Sequence, residues 1–291
     1  LAKEYSYVPF IIPERQAVQD ASKPFEGEIV GSGPFMFAQK EWVPGAKTVY
    51  LKFKDYVPRK EPASFYAGGK KVNVDRVEFM VIPDQSTAVA ALEKGEVDYL
   101  QRPHMDQWAL LRKNANIAMY RSDVSQMQIH PNHLNPPFDN VKARQALMAM
   151  VNQEEYLRAI AGDPQNFRVC YSMTGCAGWL ETDAGADLLK KQDFEKAKQL
   201  LAEAGYKGEK IVVMAPSDFA PINAASLTTA AMLRKIGVNV DLQVVDWGTL
   251  VSRRGVKEPP SKNPGGYHLF HTFSVAAAVK DPWGHANIST T

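Results

Sequence analysis

The stretch from Met127 to Glu155, MQIHPNHLNPPFDNVKARQALMAMVNQEE, constrains this chain more than any other. Pro136-Pro137 removes two backbone donors in a row and fixes both φ angles. Pro137 also biases Pro136 away from the helical region. An element entering this dipeptide must therefore stop, and a new one must start beyond it. Met127 and Ile129 suggest a short extended segment before it. After it, Asp139 or Asn140 can accept from the free N–H groups of a first helical turn. Val141, Ala143, Leu147, Met150 and Val151 then recur at near-helical spacing. The spacing predicts strand, rigid turn and helix, a combination common to many folds.

The chain has 291 residues, 45% hydrophobic and 23% charged, an ordinary globular composition with length for one large domain or two. A net charge of +2 gives no nucleic-acid footprint. No apolar run is long enough for a membrane-spanning helix. The chain opens at Leu1 with neither an initiator Met nor a secretory signal.

Pro9, Pro13 and Pro24 break any long helix in the first 28 residues. Strands are expected at Phe35–Phe37, Thr48–Phe53, Val74–Ile82, Val97–Leu100 and Ile117–Arg121, with a helix carrying Ala88, Ala91 and Leu92, capped by Asp84 or Ser86 and ended by Gly95, and another from Met105 to Lys113. Helices follow at Val141–Val151 and Gln153–Ala161, then a long loop to Asp193, a helix at Phe194–Ala204 and a strand at Ile211–Ala215. A helix over Ile222–Ile236, a strand over Val238–Val245, a short helix over Trp247–Arg253 and a strand over Tyr267–Ser274 complete the series. Alternating strands and helices imply an α/β fold. Two such runs, meeting at the prolyl turn, imply two bodies: residues 1–123, a mixed sheet with helices, and 124–291, a β-α-β body.

No catalytic constellation emerges. There is no G-x-S-x-G elbow for a serine hydrolase. His130 and His133 lack the intervening carboxylate of a zinc protease, and His268, His271 and His285 are too loosely spaced for a metal site. Gly31 and Gly33 lead into strand residues rather than Lys-Ser or Lys-Thr, so they do not cradle phosphate. Neither a metal nor a cofactor is expected. Cys170 and Cys176 are close enough for a disulfide in an oxidising compartment, and two free thiols fit the same spacing. A bridge is the expectation taken forward.

Several phrases together resemble family 5 extracellular solute-binding proteins, the peptide, nickel and opine receptors of ABC importers. They are the Asn132-to-Asn152 run just described, Val30-Gly31-Ser32-Gly33-Pro34-Phe35, Ala91-to-Asp98 (ALEKGEVD), Phe194-to-Gly205 (FEKAKQLLAEAG), Ile236-Gly237-Val238 and Asp281-Pro282, in the family's order. The resemblance implies a two-lobed, type II periplasmic-binding-protein-like fold, here incomplete. It further implies a monomeric, exported, periplasmic or extracellular protein without catalysis. Such a protein would capture an oligopeptide or related small solute and deliver it to a membrane permease. An exported amide hydrolase on the same scaffold, or a peptide-holding chaperone, are the other classes. The first strands, a small extra domain and a C-terminal segment of the family are expected to be missing.

In peptide-binding members the strand matching Phe270-His271-Thr272-Phe273-Ser274 lines the cleft, and its backbone pairs with the extended ligand. Relatives carry an Asp shortly before the closing Asp-Pro to hold the ligand's α-amino group. Here the run is Ala276-Ala277-Ala278-Val279-Lys280-Asp281-Pro282. Dipeptide-binding relatives place an Arg after the strand matching Ile211–Ala215, where this chain has Asp218-Phe219. A carboxylate at Asp218, with no protein cation expected nearby, favours a cationic or amide-rich solute; the same residue can instead cap the helix beginning near Pro221.

Overall fold

The computed structural model describes residues 12–20, 27–63, 68–120, 125–176, 180–275 and 279. The chain divides into two compact units, Leu1–Leu100 and Gln101–Thr291. The division falls after Leu100, where the sequence pattern places it at residue 123. Their described strands form two separate sheets.

In the first unit a single turn, α1 (Glu14–Ala17), precedes an antiparallel meander of β1 (Phe35–Phe37), β2 (Lys47–Lys52) and β3 (Arg76–Met80). Tyr50 of β2 is the hub of its aromatic side, with Phe37 at 5.7 Å and Phe79 at 5.9 Å between ring centroids. α2 (Gln85–Glu93) begins where Asp84 accepts from Thr87 N at 2.7 Å, as its cap. The strand expected at Val97–Leu100 does not form. Glu96 N turns back to the Ala91 carbonyl to close α2, and Tyr99 is 75% exposed, so nothing apolar holds the segment flat.

In the second unit a short α3 (Trp108–Leu111) replaces the longer helix expected from Met105, whose first residues form a 3₁₀ turn. The strand expected at Ile117–Arg121 is also absent over its described residues. Ile117 N closes a turn on Asn114 O, and Tyr120 is 90% exposed. β4 (Ser125–Pro131) then leads through the prolyl turn into α4 (Val141–Met150) and α5 (Gln153–Ala161). A one-turn α6 (Asp187–Lys190), α7 (Phe194–Glu203), β5 (Ile211–Pro216), α8 (Ala220–Lys235), β6 (Val240–Val245), α9 (Trp247–Arg253) and β7 (Leu269–Val275) follow. The strand order is β4-β7-β5-β6. β5 runs parallel to β6 and β7, and β4 is antiparallel to β7. Every residue of β5 is buried, as its unbroken apolar run demands of a strand covered on both faces.

Side-chain alternation divides this sheet cleanly. Met127, Ile129, Val213, Leu269 and Leu242 face the larger core, built with α4, α7 and α8 around Phe138, Met150 and Leu233. Val212, Met214 and Phe270 face a smaller core with Leu250 of α9 and Tyr267. Gly205 and Gly237 end α7 and α8 identically. Each sits at φ above +80° and bonds back three residues, and the next residue bonds back five, to Leu201 and Leu233. The prolyl turn is fastened to β7 and its approach loop. Asn132 N donates to His268 O at 2.8 Å, and the Asn135 amide donates to Lys257 O at 3.1 Å. The Pro136-Pro137 peptide is cis, and Asn140 caps α4 by accepting from Lys142 N.

Between α5, α8 and β7 a closed chain of polar groups crosses the core. Tyr156 Oη lies 2.6 Å from Thr229 Oγ1, which lies 2.8 Å from His271 Nε2, while His271 Nδ1 is 3.1 Å from Ser226 Oγ. Ser226 donates its proton to Ile222 O, so it accepts from Nδ1–H. Nε2 is then the acceptor for Thr229, and Tyr156 donates to Thr229. The imidazole is neutral, and burial, helped by His130, pushes its pKa down to about 3.

That shift has a sign. The unfolded chain binds the proton first, so His271 contributes stability above roughly pH 6.5 and loses it as the pH falls from there toward about 3. In the complete protein, urea unfolding midpoints should fall on acidification through that window. His271→Gln should flatten the profile by up to ~1.4 kcal/mol per pH unit. Parallel profiles would show that the ring titrates normally. Phe138→Ala should cost about 3–5 kcal/mol in the same measurement, because Phe138 is 1% exposed in the larger core. A loss under about 1 kcal/mol would mean that the turn is not seated on that core.

Candidate functional site

The carboxyl ends of β5, β6 and β7 lie side by side, together with the start of the antiparallel β4. Ligands of open α/β sheets bind outside such ends, because the loops there leave the sheet in different directions. Four of the described segments meet at this edge: Ser217–Phe219 after β5, Asp246-Trp247 after β6, Phe273–Val275 closing β7, and Arg102 from the chain leading to α3.

Phe219 is the centre of the arrangement. Its ring meets Trp247 edge-on at 5.3 Å and Phe273 at 5.7 Å, with interplanar angles of 78° and 75°. Both contacts have the near-perpendicular geometry that the ring quadrupoles favour. The Arg102 guanidinium carbon stands 4.9 Å from the Phe273 centroid. Asp218 is exposed, and its Oδ1 accepts from Trp247 N at 2.7 Å, at the first turn of α9. Asp246 caps the same helix through Thr249 N and Thr249 Oγ1, which hold its carboxyl below the usual range. Asp218 thus anchors α9, rather than the α8 that follows it in sequence, while Arg102 stands over Phe273 at the same strand ends.

The five strand residues expected to line a cleft divide between the two sheet faces. Phe273 joins the aromatic group. Thr272 is half-buried on the opposite face, and the Ser274 hydroxyl there donates to Gln128 Oε1 at 3.3 Å. Phe270 lies near the other end of β7, stacked on His130 at 4.9 Å and inside the smaller core. Burial, with Arg254 and His133 adding to it, keeps His130 below its ordinary pKa. His271 is withdrawn from the ligand set: it is fully buried, and both ring nitrogens are engaged in the core chain. Sequence reasoning missed Arg102 because its only signal is a cation between a polar residue and Pro103, outside any periodic element. The expected departures at Ala276–Ala278 and Lys280–Pro282 lie outside the described residues.

Cys170 and Cys176 are joined by a disulfide with Cα atoms 5.8 Å apart. Its loop is held beside this edge by Gln126 of β4, whose amide donates to Ser172 O at 3.1 Å. A surface pocket of about 450 Å³ lined by Pro136, Pro137, Asn140, Tyr206 and Glu209 opens at the other end of the sheet, before β5 begins. It shares no residue with the aromatic group. Among the described residues no cluster of His, Cys, Asp or Glu could hold a metal ion. No described helix is long and apolar enough to cross a membrane.

Comparison with known proteins agrees with this architecture. The chain is 44% identical over 270 residues to a probable peptide ABC transporter periplasmic-binding protein, y4tO, of Sinorhizobium fredii, covering 91% of this chain and 50% of that protein. The solved DppA of Helicobacter pylori, in complex with the peptide STSA, matches with a TM-score of 0.67 at 25% identity, over 86% of this chain and 44% of that one. AgaA in complex with agropinic acid, from A. tumefacien R10, shares the fold with a TM-score of 0.69 at 23% identity, over 86% of this chain and 47% of its own. These are type II periplasmic-binding-protein folds, and the chain spans about half the length of the relatives it matches. With residues 2–269 matching that family's description, the chain belongs to the bacterial extracellular solute-binding proteins of family 5.

Proposed function

We propose that the complete protein is the exported solute-binding component of an ABC importer and that it captures an oligopeptide or a related small solute. The observation that carries this reading is the 44% identity, across 91% of the chain, to a protein named for peptide transport. The site supports it. The Phe219 group offers an apolar wall, and the exposed Asp218 offers a carboxylate for a cationic end. In this reading lobes built around residues 1–123 and 124–291 close on the solute by hinge motion, and the closed monomer docks on a membrane permease.

An enzyme is disfavoured by a pair among the described residues that resembles a nucleophile and its base. Ser226 and His271 lie within hydrogen-bond distance, but both are buried and Ser226 already donates its proton to its own helix. A nucleophile needs a substrate path and a base positioned to take its proton, and this pair has neither.

Mass spectrometry of the complete protein under native conditions should detect retained peptide, and a protein that neither retains nor takes up peptide would overturn the reading. Asp218→Asn keeps an oxygen for Trp247 N and removes only the charge. It should weaken a ligand with a cationic end about tenfold or more, the equivalent of losing a charge-assisted hydrogen bond of roughly 1.5–3 kcal/mol. A neutral analogue should be affected far less. Equal losses for both ligands in calorimetry would reduce Asp218 to an anchor of α9.

A further inference from the structure

Arg102 is a cation at the strand-end site, alongside the carboxylates of Asp218 and Asp246. Its side chain is exposed, and among the described residues its guanidinium forms no ion pair and donates no hydrogen bond. Other arginines are spoken for: Arg76 by Glu41 and Glu78, Arg144 by the Phe138 and Asp139 carbonyls, Arg253 by Gln243 and the Gly265 and Gly266 carbonyls. Arg102 instead rests against Phe273. Resting against a ring leaves the N–H edges of the planar fork available, and that fork matches a carboxylate with two parallel hydrogen bonds.

The backbone adds an independent observation. Arg102 has φ 55°, the only positive φ at a described residue other than glycine. That conformation is uncommon for a long side chain and is kept only where its surroundings impose it. Pro103 sharpens the point, since a residue preceding proline is biased toward extended backbone and Arg102 departs from it. The contact series runs Arg102 to Phe273, Phe273 to Phe219, with Asp218 next in the chain. Phe273 therefore joins the guanidinium to the ring that follows Asp218 in the chain.

We infer that Arg102 is a specificity-determining residue that receives the free carboxylate of the solute, so that the site selects zwitterionic peptides over polycations or amidated chains. The inference rests on the peptide-binding reading and names the end groups that such a peptide must carry.

The test uses the complete protein and two probes: a randomised tripeptide mixture with free C-terminal carboxylates, and the same mixture C-terminally amidated. Native mass spectrometry reads the bound fraction of each. Wild type should retain the free acids about tenfold or more over the amides. Arg102→Gln should abolish that preference, and Arg102→Lys, which keeps the charge but loses the fork, should restore part of it. Arg254→Gln is the control: Arg254 also rests over a ring, Phe270, near the other end of β7, and its loss should leave the preference intact. An unchanged preference in Arg102→Gln, equal retention of acids and amides by wild type, or a loss in Arg254→Gln alone would overturn the inference while leaving peptide binding in place. Failure of wild type to bind either mixture would overturn both readings.

Discussion

The second unit depends on the backbone of β5. Six consecutive buried residues carry C=O groups, and all but Pro216 carry N–H groups, that no water reaches, and each such group left unpaired would cost about 1–3 kcal/mol. β6 supplies partners along the whole of one edge, in register from Ile211 with Val240 to Pro216 with Val245. The other edge is served at fewer points. Val213 is in register with Leu269, and just before β7 begins His268 N donates to Val212 O at 3.0 Å while His268 Nδ1 accepts from Val212 N at 2.9 Å. An imidazole can fill that acceptor position only while Nδ1 is unprotonated, and burial pushes its pKa down accordingly. The same residue offers its carbonyl to Asn132, so the prolyl turn, β7 and β5 share a single junction.

This arrangement separates support from recognition. Strand residues toward the beginning of β7 are buried, and the described loops after β5 and β6 carry Asp218 and Asp246 at the surface. Asp218 shows the consequence. One of its oxygens accepts the first free N–H of α9, at the positive end of that helix, where a carboxylate is stabilised. Phe219, next in the chain, is then fixed between Trp247 and Phe273. The charged group and the apolar wall are thus oriented by the same helix end, so in the proposed site neither would have to be ordered afresh for a solute. Such preorganisation lowers the entropic cost of binding.

Local chemistry in the sequence foretold those parts of the fold that local chemistry determines. Asp84, Asn140 and Gly205 do at element ends what their residue types predict, and the apolar run of β5 needed no tertiary knowledge. Val97–Leu100 and Ile117–Tyr120 read as strands because apolar and β-forming residues are present, yet a strand requires a neighbour, and sequence periodicity does not report one. The division of β7 between two faces was legible in principle from its period of two. What was not legible is which face the helix α8 would cover, and that alone moved His271 from a proposed ligand group into the core. Arg102 left no trace of its role, because its contacts lie across the chain rather than along it.

Burial also decides between chemistries that share the same residues. Ser226 beside His271 has the composition of a nucleophile and base, and its separation is within hydrogen-bond range. Direction distinguishes the two cases. Protons run from Tyr156 to Thr229, to His271, to Ser226 and on to the Ile222 carbonyl, so each hydroxyl and the ring spend their donor inside the chain. Reversing that order to free the serine would require Ser226 to give up its bond to Ile222 O and His271 to shift its proton to Nε2. Thr229 would then have to accept where it now donates, with no water available to compensate. A fully satisfied buried network of this kind fixes the packing of α5 and α8 on β7, and that rigid backing lets the loops at the strand ends present a charged and aromatic surface whose parts hold their positions.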